Sequence, residues 1–212
     1  MKLFMKPILG ILCAAGLLCP SAHATTLIFL DPATVLANQG AIGDTVDVVL
    51  TNSGPGSISI QSFSFQVSVT DPDITFTGAG FSTAASPYIF AGDSFDVING
   101  FTLNTDASGQ TMNGSDGTND GAGVTLTAGE SLALGELFFN ASPTAAFGGI
   151  TVSFTGGAAA NNLSDPAGDN VAIGTFTSGT INVTSTPEPS SFLLILAGTA
   201  ALGAWNRRRR RA

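Results

Sequence analysis

From Thr25 to Thr186 the chain contains no Lys, Arg, His, Cys or Trp. All seven basic residues lie outside that stretch and 14 of the 15 acidic residues lie inside it, so the segment carries a formal charge of −14. A fold made from it has neither disulfides nor ion pairs to hold it together. It must rest on apolar burial and backbone hydrogen bonds. Its carboxylates must be solvated, bonded to amides and hydroxyls, or bound to metal ions. The same absences exclude chemistry. The segment offers no imidazole or thiol for general-base, nucleophilic or zinc catalysis. It offers no cationic footprint for nucleic acid. Charge of this size keeps a folded domain soluble but makes the compact state repel itself, and divalent cations relieve that repulsion.

At 162 residues the segment is large enough for one domain with a sizeable core. Val, Ile, Thr and Phe runs are punctuated by Gly, Asn, Asp, Ser and Pro, which is the pattern of strands and tight turns. Nine strands are expected: Leu27–Leu30, Thr45–Thr51, Ser57–Val69, Ile74–Thr77, Phe95–Leu103, Leu132–Asn140, Ile150–Thr155, Val171–Thr177 and Thr180–Thr184. In Ser57–Val69, Ile58 and Ile60 alternate with polar residues, and Phe63, Phe65, Val67 and Val69 then do so in the opposite phase. A one-residue slip of that kind predicts a bulge or bend near Gln61-Ser62. Helix signals are nearly absent. The expected fold is all-β, a β-sandwich or jelly roll over residues 25–185 with a Phe-rich core.

The two ends read as targeting segments rather than as fold. Lys2 and Lys6 precede an apolar stretch from Pro7 to Leu18, and Ala22-His23-Ala24 places small residues where a signal peptidase reads them. Residues 1–24 are thus an expected signal peptide, cut after Ala24. Cys13 and Cys19 both fall inside it and lack the preceding small residue of a lipoprotein signal. At the other end stand Pro187-Glu188-Pro189, an uncharged run from Ser190 to Asn206, and a cationic cluster of Arg207, Arg208, Arg209, Arg210 and Arg211. As a helix, the 17 residues of that run reach about 25 Å, enough for a marginal membrane span. The five arginines act as the membrane stop and hold the cytoplasmic side. The prolines keep Glu188 extended and accessible.

In order and spacing, residues 186–212 closely resemble the PEP-CTERM sorting signal of Gram-negative bacteria. The resemblance implies recognition by an exosortase, passage through the inner membrane, and delivery to the cell surface or exopolysaccharide matrix. The body resembles the cohesin-like domains found ahead of such tails. Leu30-Asp31-Pro32-Ala33-Thr34 followed by Gly43 to Leu50 looks like their opening strands, Leu134-Gly135-Glu136-Leu137-Phe138-Phe139 like a later one, and Leu163-Ser164-Asp165 to Val183 like their close. Where members have a Phe-Asp-Leu-x-Leu-x-Tyr-Asp strand, this chain has Phe63-Ser64-Phe65-Gln66-Val67-Ser68-Val69. The resemblance implies a nine-stranded jelly roll that hosts many functions.

Two runs have the oxygen content of a calcium site. In Asn113 to Gly121, Asp116, Thr118, Asp120 and Gly121 fall on positions 1, 3, 5 and 6 of an EF-hand-type loop. Position 12 is Thr127 rather than Glu, and nearby Glu130 is the candidate substitute. Asp165 and Asp169 flank a second turn. The competing reading of both runs is a solvated Gly/Asn/Asp loop without a ligand. Asp71-Pro72-Asp73 and Asp93 with Asp96 bound strands. Glu130 and Glu136 are the body's only glutamates and the minimum kit for glycoside hydrolysis, but no aromatic platform accompanies them. Tyr88 with Phe81 and Phe90 forms either a small apolar patch or core packing. The function expected is that of a non-enzymatic surface or matrix protein with a structural or adhesive sandwich. The alternative is a carbohydrate- or protein-binding module, with calcium the candidate cofactor of either and a hydrolase a distant third.

Overall fold

The structure, a computed structural model, describes residues 25–81, 87–95 and 102–185. The expected signal peptide lies outside the described residues. So do the sorting motif Pro187, Glu188 and Pro189, the expected membrane helix, and the membrane-stop residues Arg207, Arg208, Arg209, Arg210 and Arg211. No helix among the described residues is long and apolar enough to cross a membrane.

In chain order the strands are β1 (Thr26–Asp31), β2 (Thr34–Asn38), β3 (Asp44–Asn52), β4 (Ile58–Ile60), β5 (Ser62–Val69), β6 (Ile74–Gly80) and β7 (Thr102–Thr105). Then come β8 (Thr111–Gly117), β9 (Val124–Leu126), β10 (Ser131–Ala141), β11 (Gly148–Phe154), β12 (Asn162–Ser164), β13 (Ile173–Thr177) and β14 (Gly179–Thr184). One four-residue helix, α1 (Gly157–Ala160), separates β11 from β12. A five-stranded sheet runs β13-β1-β3-β10-β6, and a larger one runs β2-β14-β11-β5-β8-β7 with β12 beside β5. β4 and β9 form a separate two-stranded ribbon. One continuous apolar cluster draws on both large sheets, including Ile28, Val48, Leu50, Leu137 and Phe139 from one and Phe63, Phe65, Val67, Met112 and Ile181 from the other. This is a β-sandwich.

The period-2 signal holds where it was strongest. Along β5 the residues alternate, with Phe63, Phe65, Val67 and Val69 buried. The phase slip falls at Gln61, where the chain leaves the β4–β9 ribbon and enters the large sheet. There the Gln61 amide donates to the Ser164 carbonyl at 2.7 Å. The central strand β3 departs from alternation: Val46 to Leu50 are all buried, because both faces are covered.

Four strands escape a sequence reading: β2, β8, β9 and β12. Two of them have only three residues, and β8 reads Thr-Met-Asn-Gly-Ser-Asp-Gly, poor in β-formers. Pairing with β5 on one side and β7 on the other makes it a strand. The expected strand Phe95–Leu103 is corrected. Phe95 lies in a turn and is exposed, and strand appears only at β7, while residues 96–101 lie outside the described residues.

Register sets two poles. Thr184 pairs with Asn38, Val183 with Gly148, Val152 with Val69, Ser68 with Thr111, and Ser62 with Gly117. The end of β14, where the chain leaves for its tail, therefore shares a pole with the β2–β3, β10–β11 and β5–β6 connections. The end of β8 and the start of β5 lie at the opposite pole.

Candidate functional site

The pole away from the tail holds an open cleft of about 680 Å³, walled by Gln61 to Phe63, Phe95 and Ser115 to Gly121. Its floor is set by strand register. Phe63 faces Asp116, Phe65 faces Gly114 and Val67 faces Met112. Directly paired residues point to one side of a sheet, and the Phe and Val side chains are buried. Asp116 is therefore turned towards the core. The run Asn113–Gly121 is consequently no single loop: its first half belongs to β8, a strand paired on both sides, and position 1 of the supposed calcium loop faces inward.

A carboxylate so placed needs donors, and it has three. The Tyr88 hydroxyl donates to Asp116 Oδ2, and the Ser94 hydroxyl donates to the same oxygen at 2.5 Å. The Gly117 amide donates to Oδ1 at 2.7 Å. Burial first, then the hydrogen bond to Asp116 and its charge, push the Tyr88 phenol far above its usual range. The Tyr88 ring sits 4.8 Å from Phe81 and lies edge-on to Phe63 and Phe90. Tyr88 and Phe90 are thus core residues rather than an exposed patch.

Asp120 lies beyond the strand, with Oδ1 accepting the Ala122 amide at 2.8 Å. Beside it stands Asp93, whose carbonyl accepts the Asn119 amide at 2.8 Å. Lost hydration first, then a side-chain hydrogen bond and like charge from Asp120, hold the Asp93 carboxyl above the usual range. Over the pH window just above that range, folded Asp93 keeps a proton that the unfolded chain has released. Stability therefore declines as pH rises through the window, and the loss is complete above the raised value. Asp120→Asn removes the partner charge. The variant is expected to flatten that decline, with thermal melting at neutral pH at or above wild type and the two proteins converging near about pH 3, where carboxylates are protonated. Identical pH–melting curves for the two proteins would refute the pairing.

The remaining candidate ligands take other partners. Glu130 Oε2 accepts the Thr127 amide at 2.7 Å and the Thr127 hydroxyl at 3.0 Å, and these bonds, the amide first, lower its carboxyl below the usual range. Asp165 Oδ1 caps its own turn by accepting the Ala167 and Asp169 amides, each at 2.9 Å. Thr118 is buried and its hydroxyl has no partner among the described residues. The second run packs against the turn that follows the first: a Cβ added at Gly123 would lie 2.9 Å from Pro166. Among the described residues no three acidic, His or Cys side chains are grouped to hold a metal ion. Glu136 lies within β10 opposite Asp47 of β3, whereas Glu130 precedes that strand, in the turn where its carboxylate folds back on Thr127.

Sequence reasoning missed Ser94, Asp93 and Phe95 as parts of this pole. They arrive from a turn-rich segment more than 15 residues before β8, and long-range contacts bring them in: the Asn119 amide to the Asp93 carbonyl, the pairing of Ser94 with Thr118, and the Phe95 amide to the Gly117 carbonyl at 2.7 Å.

Residues 185–211 match the model of the PEP-CTERM protein-sorting motif. No curated protein matches the chain in sequence. In structure the body resembles cohesins. A cohesin from Clostridium acetobutylicum aligns with a TM-score of 0.55 at 18% identity, over 78% of this chain and 95% of that one. The sixth cohesin of scaffoldin B from Acetivibrio cellulolyticus, solved in complex with a dockerin, aligns at 0.56 and 17%, over 76% and 99%. A non-cellulosomal cohesin from the hyperthermophilic archaeon Archaeoglobus fulgidus aligns at 0.53 and 14%, over 78% and 95%. The chain thus carries a PEP-CTERM sorting motif behind a cohesin-like β-sandwich.

Proposed function

We propose that this chain is an exported, non-enzymatic surface or matrix protein whose acidic sandwich is a protein-binding, adhesive module and whose tail is a disposable sorting device. One observation carries the reading. The last strand ends at Thr184 and the sorting motif begins at Ser185. Among the described residues no strand extends past Thr184, so a cut near Pro187–Pro189 leaves every described ladder intact. In this reading a signal peptidase removes residues 1–24. Residues 190–206 then hold the protein in the inner membrane, with Arg207, Arg208, Arg209, Arg210 and Arg211 on the cytoplasmic side. An exosortase processes the tail, and the body passes to the cell surface or exopolysaccharide. The cohesin likeness supports the binding half, since one such neighbour was solved bound to a dockerin.

The test is the intact mass of the protein from fractions of its native host. The expected species begins at Thr25, ends near Pro189 and lies in the surface or matrix fraction. A species that retains Arg207–Arg211 in the inner membrane would replace this reading with a permanent anchor.

A second reading has its own observation. Phe95 is 73% exposed at the rim of a cleft lined by Asp116, Asn119 and Asp120. An exposed ring beside several oxygens is the arrangement that binds a sugar by stacking and hydrogen bonds. Glycan binding lost in Phe95→Ala would favour it.

A further inference from the structure

Five large apolar side chains are exposed among the described residues: Leu36, Ile42, Phe95, Phe147 and Phe176. Phe176 packs at a tilt against Phe154, ring centres 5.2 Å apart, and Phe95 rims the cleft. Ile42 and Phe147 lie in loops at the pole where the chain leaves for its tail, and Leu36 lies beside it, on the outer face of the edge strand β2. Ile42 is 84% exposed and Phe147 64%. Their two loops are stitched together: the Gly40 amide donates to the Ser142 carbonyl at 3.2 Å, and Gln39 Nε2 donates to the Ala145 carbonyl at 2.5 Å. Leu36, 69% exposed, pairs with Asn182 on the strand that ends two residues later. Residues 32–43 and 140–149 contain no charged side chain, in a body that carries −14.

The tether decides what this pole meets. Five residues, 185–189, separate the last strand from the uncharged run that begins at Ser190. Fully extended they reach about 17 Å. Resting on the reading that residues 190–206 span the inner membrane, that length keeps the pole at the bilayer surface and points the acidic cleft away from it. We propose that, until the tail is cut, Ile42, Phe147 and Leu36 seat this pole in the headgroup–acyl boundary of the outer leaflet. Apolar side chains on uncharged loops suit that boundary. The seat would hold the Pro-Glu-Pro segment at the membrane surface, where a membrane-embedded enzyme can reach it. Asp44, Asp71 and Asp73 flank the loops, and the Ser142 amide donates to the Asp73 carbonyl at 2.7 Å. Contact should therefore be stronger on zwitterionic than on anionic lipid.

The test uses the protein with leader removed and tail retained, in phosphatidylcholine vesicles. Cys13 and Cys19 leave with the leader, so Ala146→Cys and Ala122→Cys each carry one fluorophore, at the tail pole and at the cleft pole. Trp205 is the chain's only tryptophan and reports insertion of the tail through quenching by acyl-chain nitroxides. With headgroup nitroxides, the probe at 146 is expected to be quenched at least threefold more than the probe at 122. Ile42→Ser with Phe147→Ser should erase the difference while Trp205 stays quenched. Equal quenching at the two poles with Trp205 quenched would overturn the seat and leave the tail reading standing. An unquenched Trp205 would overturn the tail reading and the seat with it. A signal at 146 that follows protein concentration rather than lipid label would assign the patch to a second copy and also overturn the seat.

Discussion

Replacing Asp116 by alanine is expected to destabilise the protein by about 3 kcal/mol in denaturant unfolding. The change removes the shared acceptor of the Tyr88 and Ser94 hydroxyls and of the Gly117 amide. Bonds to a charged partner contribute about 1.5–3 kcal/mol each, and orphaned buried donors add a cost of their own. Tyr88→Phe removes one donor and leaves the carboxylate two others, so its loss should be about half as large. A spectroscopic reading separates this network from a general packing defect. Tyr88 is the chain's only tyrosine. In the wild type its phenol should ionise only as the protein unfolds at alkaline pH. In Asp116→Ala the hydrogen-bonded and charge contributions vanish and burial remains, so ionisation should come earlier but still above about 10, the ordinary phenol value. Stability within about 0.5 kcal/mol of wild type would remove Asp116 from its place as the hub.

The second large effect lies one pair of residues further along the same two strands. Phe65 is fully buried, stacks on Phe63 at 6.0 Å, and faces Gly114, which has no side chain to fill the space under the ring. Phe65→Ala leaves a cavity that neither strand can close. The expected cost is about 3–5 kcal/mol. For a domain of this size that lowers the melting temperature by roughly 10–15 °C. With no disulfide and no ion pair in the body, nothing else compensates, and that loss is a large part of a typical stability of about 5–15 kcal/mol. Phe147→Ala is the contrast. The same residue type, exposed at the tail pole, should change stability by no more than a surface substitution does, about 0.5 kcal/mol or less. A melting curve for Phe65→Ala that overlays that of Phe147→Ala would contradict the packing described.

These residues also mark how far the chain could be read unaided. The alternation of Phe63, Phe65, Val67 and Val69 was legible because strand period is local, and the slip at Gln61 was legible because a one-residue shift reverses the face. The sorting segment was legible because its order of Pro-Glu-Pro, apolar run and arginines needs no partner elsewhere in the chain. β8 was not legible: Asn, Gly, Ser and Asp prefer turns in isolation, and what makes them strand is β5, more than 40 residues earlier. Reading that run as a loop placed Asp116 among exposed oxygens, when pairing with Phe63 turns it towards Tyr88 and Ser94.

Local order along the chain was enough to establish an acidic all-β body, without disulfide, cation or imidazole, ahead of a sorting tail. Composition, strand period and segment order are properties of neighbouring residues, and no folding is needed to state them. What each carboxylate meets could be learned only from the folded body: Asp93 beside Asp120, Glu130 folded back on Thr127, and the Asp165–Asp169 turn against Gly123. The same holds for the placing of the cleft and the end of β14 at opposite poles. Those facts depend on the pairing of strands far apart in the chain, and pairing is settled by which faces bury their apolar side chains together.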